Sequence, residues 1–217
     1  AVNTALATVA FTPATDNDVA VSISTRIRDA ANAGPADGTI SVSVTGINDA
    51  PTATQLTQSK NYTEGAASVA LDDIVVSDLD TGETITATLT LSPSAVGTLT
   101  TSGTATYTSG TGVWTITGTV AAVNTALASV AFAPAVDNDL AATITTRIRD
   151  AANTGPTDGT ITLNVTAAND APTASNLTQT KSYTEGAASL ALDDIVVSDV
   201  DTGETITATL TLSPSAV

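Results

Sequence analysis

Residues 84–91 read TITATLTL, and this short stretch decides the fold class. Ile85, Ala87, Leu89 and Leu91 share one face of an extended chain, while Thr84, Thr86, Thr88 and Thr90 share the other. Successive side chains of a strand point to opposite faces, and β-branched threonine suits the wet side of a pleated surface. Strict alternation therefore predicts a half-buried strand. Residues 21–27 (VSISTRI), 39–45 (TISVSVT) and 160–166 (TITLNVT) alternate in the same way. Turn clusters such as DTGE, TSGTG and NTGPTDG separate these stretches at roughly ten-residue intervals, the rhythm of a β-sandwich. One stretch breaks the pattern. Residues 120–130 (VAAVNTALASV) set Val123, Leu127 and Val130 at helical spacing, so a short helical turn is predicted to cross between sheets. Trp114 and Phe132 are assigned to the core, Tyr62 is left unassigned with an exposed position open to it, and Arg26 and Arg28 are expected on a solvated strand face.

TITATLTL returns at residues 205–212, one instance of a period of 121 residues. AVNTALATVAF (residues 1–11) returns as AVNTALASVAF (residues 122–132), and the match continues to the last residue. Of 96 comparable positions, 76 are identical and 20 differ, yet no difference touches a charged residue. Each copy carries 11 acids and 3 bases, and residues 97–121, present once, carry no charge. A fixed period is the mark of an array of like units. The pentapeptide NDAPT, at residues 48–52 and 169–173, places proline between alternating stretches. Proline cannot donate to a ladder and biases its neighbour toward extended backbone, which suits a short, stiff linker. The division that follows is a C-terminal half-unit (residues 1–50), one complete unit (residues 51–171) and an N-terminal half-unit (residues 172–217). The chain is expected to be a window of a longer array. A unit of this length can bury a core of its own.

Composition narrows the chemistry. There is no Cys, hence no disulfide and no thiol reactivity, and no His, hence no imidazole base or ligand. The available metal donors are hard oxygens. No apolar run approaches the roughly 18 residues of a spanning helix. A net charge of −16 repels phosphate, which argues against nucleic acid and anionic lipid as partners.

The acids gather in loops: Asp16-Asn17-Asp18, Asn48-Asp49, and Asp78-Leu79-Asp80 with Glu83, beside Glu64, Asp29 and Asp37. Their copies are Asp137-Asn138-Asp139, Asn169-Asp170, and Asp199-Val200-Asp201 with Glu204, beside Glu185, Asp150 and Asp158. Asp and Asn also favour turns for purely local reasons. Clustered like charges nevertheless repel unless a cation neutralises them. Calcium takes roughly six to eight oxygens from carboxylates, amide side chains and carbonyls, which is the donor set offered here.

NDAPT resembles the calcium-binding linker of cadherin repeats, and the Glu after the first strand, the Asp-x-Asp after the second and the Asp ending the sixth follow in cadherin order. The pattern WTITGTVAAVNTALASVAFAPAVDND…GTITLNVTAANDAPT is similar to the cadherin-like repeats of giant bacterial surface adhesins, many exported by type I secretion. The resemblance covers the whole 121-residue unit. The chain lacks the cadherin Asp-Arg-Glu motif, and its linker is one residue shorter than the animal form. The resemblance implies an all-β, antiparallel, Ig/cadherin-like sandwich in tandem. It also sorts the ligands. The junction before the complete unit would gather Asp16, Asp18, Asn48, Asp49, Asp78, Asp80 and Asp150. The junction after it would gather Glu64, Asp137, Asp139, Asn169, Asp170, Asp199 and Asp201. Glu185 would serve a further junction, while Asp72, Asp73, Asp37 and Asp158 remain surface residues.

The function this implies is a calcium-rigidified spacer of a bacterial extracellular adhesin or surface fibre. Its partners would be identical repeats joined by short linkers and other copies of the fibre. The alternative is a calcium-dependent binding module for polysaccharide or homophilic adhesion. An enzyme is not expected. Paired carboxylates can hydrolyse glycosides, but the same pair repeated in an array fits an interdomain metal site more simply.

Overall fold

A computed structural model describes residues 1–80, 82–201 and 203–213. Strand outweighs helix by 31% to 8%, the class that the alternation predicts. Helix α1 (Val2–Leu6) precedes a hairpin of β1 (Val21–Thr25) and β2 (Gly38–Val42). After the first linker come β3 (Thr52–Ala53), β4 (Gln58–Thr63), β5 (Val69–Ala70) and β6 (Val76–Ser77). The stretch quoted first forms β7 (Ile85–Ser92), followed by β8 (Gly97–Leu99), β9 (Thr106–Thr108) and β10 (Val113–Gly118). Helix α2 (Val120–Leu127) leads to β11 (Ala131–Pro134), β12 (Ala142–Arg149) and β13 (Gly159–Thr166). Two short strands, β14 (Thr173–Ala174) and β15 (Val197–Ser198), pair near the C-terminus.

Two sheets enclose the core of residues 51–171, one of six strands in the order β4-β13-β12-β7-β10-β9 and the other of three in the order β5-β11-β8, while β3 pairs with β6 in a separate two-stranded sheet. Ile85, Leu89 and Leu91 of β7 point inward, as their alternation demands, and join Trp114, Ile144, Ile161 and Leu163 in one core. The smaller sheet adds Leu99 and Phe132 to that core, and α2 adds Val123 and Leu127. Trp114 and Phe132 are wholly buried, and the indole N–H of Trp114 donates to the Thr100 carbonyl at 3.0 Å. Helix α2 starts where the helical spacing starts. The Thr119 hydroxyl caps it by accepting the Ala122 N–H at 3.3 Å.

Strand pairing is mainly antiparallel, as expected, with one exception: β4 runs parallel to β13, from Gln58 beside Ile161 to Thr63 beside Thr166. Parallel neighbours need a long crossover, and the connection here is the remainder of the unit between Thr63 and Gly159. The sequence left an exposed position open to Tyr62. Alternation along β4 instead turns it inward, leaving it 8% exposed. Its ring stands edge-on to Phe132 at 5.6 Å, and its hydroxyl accepts from Asn138 Nδ2 at 2.9 Å. A tyrosine can be buried when its polar tip finds a partner, and Asn138 is that partner.

Among the described residues, the buried hydrophobic core runs from Tyr62 to Leu163. Among the described residues, none in 1–50 or 172–213 is buried.

Candidate metal centres

The acidic loops are held by their own short-range hydrogen bonds. Asp78 Oδ1 accepts the Asp80 N–H at 3.0 Å, and Asp80 Oδ2 accepts the Asp49 N–H at 2.7 Å. The backbone of the first linker is thereby tied to the loop after β6. The second copy repeats the arrangement, with Asp201 N–H on Asp199 Oδ1 at 3.1 Å and Asp170 N–H on Asp201 Oδ2 at 2.7 Å. Asp16 and Asp137 adopt left-handed backbone, with φ of 57° and 54°, a region that Asp tolerates better than most residues. The next residue locks each loop, since Asn17 and Asn138 donate to the Val19 and Leu140 carbonyls at 3.0 Å. Asp150 follows β12 in a tight turn. Its Oδ1 accepts the Thr154 N–H at 2.7 Å, while Oδ2 accepts the Thr154 hydroxyl and Asn48 Nδ2, the latter at 3.0 Å.

The first junction brings together Asp16, Asp18, Asn48, Asp49, Asp78, Asp80 and Asp150, and adds Glu83. Partial desolvation and then the Asp80 carboxylate push Asp18 above its ordinary 3.8, with smaller contributions from Asp49 and Asp16. Desolvation, then Asp16, Asp80 and Asp78, raise Asp49 in the same way. Glu83 rises above 4.5 through desolvation and the charges of Asp150, Asp78 and Asp80. Asp150 behaves differently. Burial pushes it up, but the hydrogen bonds from Asn48, Thr154 and the backbone outweigh that and hold it below 3.8.

At the second junction Glu64, Asp170 and Asp201 present carboxylate oxygens within 4.8 Å of one another. Glu64 Oε2 also accepts the Ala168 N–H at 2.9 Å, and Asn169 Nδ2 donates to the Asp170 carbonyl at 2.8 Å. Desolvation raises Asp170, followed by the charges of Asp137, Glu64, Asp201 and Asp199. Asp78, Asp80 and Glu83 form a second such triad, and Asp199, Asp201 and Glu204 a third. Glu83 and Glu204 were absent from the ligand set read from sequence, although each sits in the same loop as its Asp-x-Asp pair. Asp139 is half-buried, and among the described residues it makes no hydrogen bond to the Asp170 group. Glu185 is exposed.

The basic residues are all engaged elsewhere. The ion pairs of the described residues are Arg28–Asp37, Lys60–Asp72, Arg149–Asp158 and Lys181–Asp193. Arg26 and Arg147 donate to Asn32 and Asn153. These are all six bases of the chain, so no guanidinium or ammonium neutralises the junctions. Among the described residues, three carboxylate oxygens, Asp78 Oδ2, Glu83 Oε2 and Asp199 Oδ2, are buried without a hydrogen-bond partner. Buried charged oxygens without partners are costly, and a hard cation offsets that cost by direct ligation. The triads could hold a metal ion, and their all-oxygen donor set matches calcium better than softer metals. No protein-family model matches the chain and no curated protein matches it, so the geometry of the junctions carries the functional reading.

Proposed function

We propose that the chain is a calcium-rigidified spacer of a bacterial extracellular adhesin or surface fibre, built from Ig/cadherin-like sandwiches in tandem. One observation carries this reading: the unneutralised carboxylates straddle both NDAPT linkers. At the first linker, Asp16, Asp18 and Asp49 from one side face Asp78, Asp80, Glu83 and Asp150 from the other. A cation ligated from both sides fixes the angle between units, whereas without it the same charges repel. The residues that would hold it are Asp78, Asp80 and Glu83 at one linker and Glu64, Asp170 and Asp201 at the other. Asn48 and Thr154 orient the Asp150 carboxylate for the same purpose. Calcium-binding extracellular modules work at dissociation constants of about 10⁻⁴–10⁻³ M, which would leave the fibre pliant in low calcium and stiff outside the cell. The alternative, a polysaccharide-binding module, lacks a stacking platform in the complete unit. Tyr62, Trp114 and Phe132 are buried, and the Tyr107 hydroxyl is turned onto the Gly97 carbonyl.

Small-angle scattering and titration calorimetry in millimolar calcium and in chelator test the reading. Calcium should bind and lengthen the maximum dimension. It should also raise the Tm, because a ligand that binds the folded state stabilises it by mass action. Asp49→Ala or Asp78→Ala should weaken one junction, and Asp72→Ala should weaken none. No bound calcium and an unchanged dimension would defeat the spacer reading.

A further inference from the structure

We infer that residues 51–171 form a tension-bearing unit, in which the parallel pair β4–β13 is a clamp that resists a pull along the chain by shear. The proposal goes beyond the spacer reading and needs no calcium. The chain enters these residues at Pro51, shortly before β4, and leaves them at Ala171, shortly after β13. Tension therefore draws β4 back toward its start and β13 forward toward its end. In parallel strands those two pulls are opposed along one axis, so the strands must slide past each other. The rungs from Gln58 beside Ile161 to Thr63 beside Thr166 are then strained together. Had the same two strands been antiparallel, both pulls would act at one end of the ladder and open it one hydrogen bond at a time.

Side chains fasten the pair against sliding. Asn164 Nδ2 donates across the strands to Asn61 Oδ1 at 2.9 Å and to Ser59 Oγ at 3.2 Å. Beyond the last rung the Glu64 N–H donates to the Thr166 carbonyl at 3.0 Å, and Glu64 Oε2 accepts the Ala168 N–H at 2.9 Å. Gln58 and Tyr62 point inward, and a slip of one residue would turn both to water. Gln58 also grips the Asp72 backbone, donating to its carbonyl at 2.9 Å and accepting its N–H at 2.8 Å. Just ahead of β4, the Leu56 carbonyl accepts from the buried Thr146 hydroxyl at 2.9 Å. Position 159 is glycine because β13 starts hard against this carbonyl, and a Cβ there would stand 2.2 Å from the Leu56 oxygen.

Forced unfolding follows the unfolding rate rather than the equilibrium stability, so the direction of pull separates a clamp from stability alone. The test holds the 217-residue chain in optical tweezers in two ways. One grip uses the two termini. The other uses Thr57→Cys and Thr157→Cys, exposed positions just before β4 and β13 in a chain with no cysteine of its own. The first grip shears the pair, and the second peels it from one end. The event to follow is the release of residues 58–166, on the order of 350–400 Å of extended chain. Shearing should need at least twice the force of peeling. Asn164→Ala should lower the shearing force and leave the peeling force unchanged. Chelator throughout keeps the outcome separate from the calcium reading, which scattering and titration decide. Equal forces in the two grips overturn the proposal, as does a shearing force that Asn164→Ala leaves unmoved. So does an equal fall in both grips, which would be lost stability alone.

Discussion

The octapeptide ITATLTLS occurs twice, with two different outcomes. At residues 85–92 it is the strand β7, and Leu89 is wholly buried. At residues 206–213 it forms no strand, and Leu210 is 68% exposed. The same holds for Phe132 against Phe11, which is 43% exposed, and for Tyr62 against Tyr183, which is 70% exposed. Identical residues with identical propensities differ because the first copy has β12 and β10 on its flanks and the second has neither. A strand is a property of a pair. Alternation confers only the ability to enter a sheet, and burial is set by what else the chain supplies.

Substituting equivalent residues is the sharpest way to break this comparison. Leu89→Ala should cost about 2–5 kcal/mol of stability, read as a shift in denaturant midpoint followed by Trp114 fluorescence. Leu210→Ala should leave that midpoint unmoved at low protein concentration. Equal effects would mean that the C-terminal half is packed in solution. A smaller contrast is expected at the tyrosines. Tyr62→Phe removes one of the two acceptors of Asn138 Nδ2, a loss of about 1 kcal/mol for a hydrogen bond within the fold. Tyr183→Phe should be silent in the same unfolding curve.

The junctions add a contrast in pH. In chelator, Asp18, Asp49, Glu83 and Asp170 have folded pKa values raised above 3.8 for the aspartates and 4.5 for the glutamate. The folded state then binds those protons more tightly than the unfolded state does. Stability from these four should therefore rise as pH falls from neutral through their raised values, and the gain is complete below the ordinary values. Asp150 opposes this, since its lowered pKa gives stability above 3.8 that is lost as pH falls through the folded value. With calcium present, protons compete for the same oxygens, and acidification should lower the Tm. A chelated chain whose Tm falls steadily from neutral pH would contradict the charge clustering. The smallest effects belong to the surface pairs. Asp72→Asn should change stability by about 1 kcal/mol or less, since Asp72 is 54% exposed in its pair with Lys60.

The long strands and the single helix of the complete unit were legible because each shows a clean period: two in TITATLTL, and helical spacing in VAAVNTAL. The pairing of β4 with β13 was not, because nothing local in QSKNYT marks a neighbour about a hundred positions away. Tyr62 could not be placed from the sequence for a similar reason. Its burial depends on an amide at position 138, and only the folded chain brings the two together. Most of the junction acids were identified by their density in loops and by the order in which strands would deliver them. Glu83 was passed over, although burial and the charge of Asp150 show that it belongs to the same group. No pattern in one copy could reveal that, among the described residues, none of 1–50 or 172–213 would be buried.

The placement of the six bases also decides which solutes the molecule responds to. Their ion pairs lie on the surface, where salt at about 0.1 M, with a screening length near 10 Å, weakens them. The junction oxygens stand within 4.8 Å of one another, well inside that length. Diffuse monovalent ions cannot settle such a short-range repulsion, and an ion must enter the cluster and touch the oxygens. Sodium chloride should therefore loosen the Lys60–Asp72 type of contact while leaving the linkers charged and strained. A small amount of divalent cation should do the reverse, so that distance alone separates the response to ionic strength from the response to a specific ion.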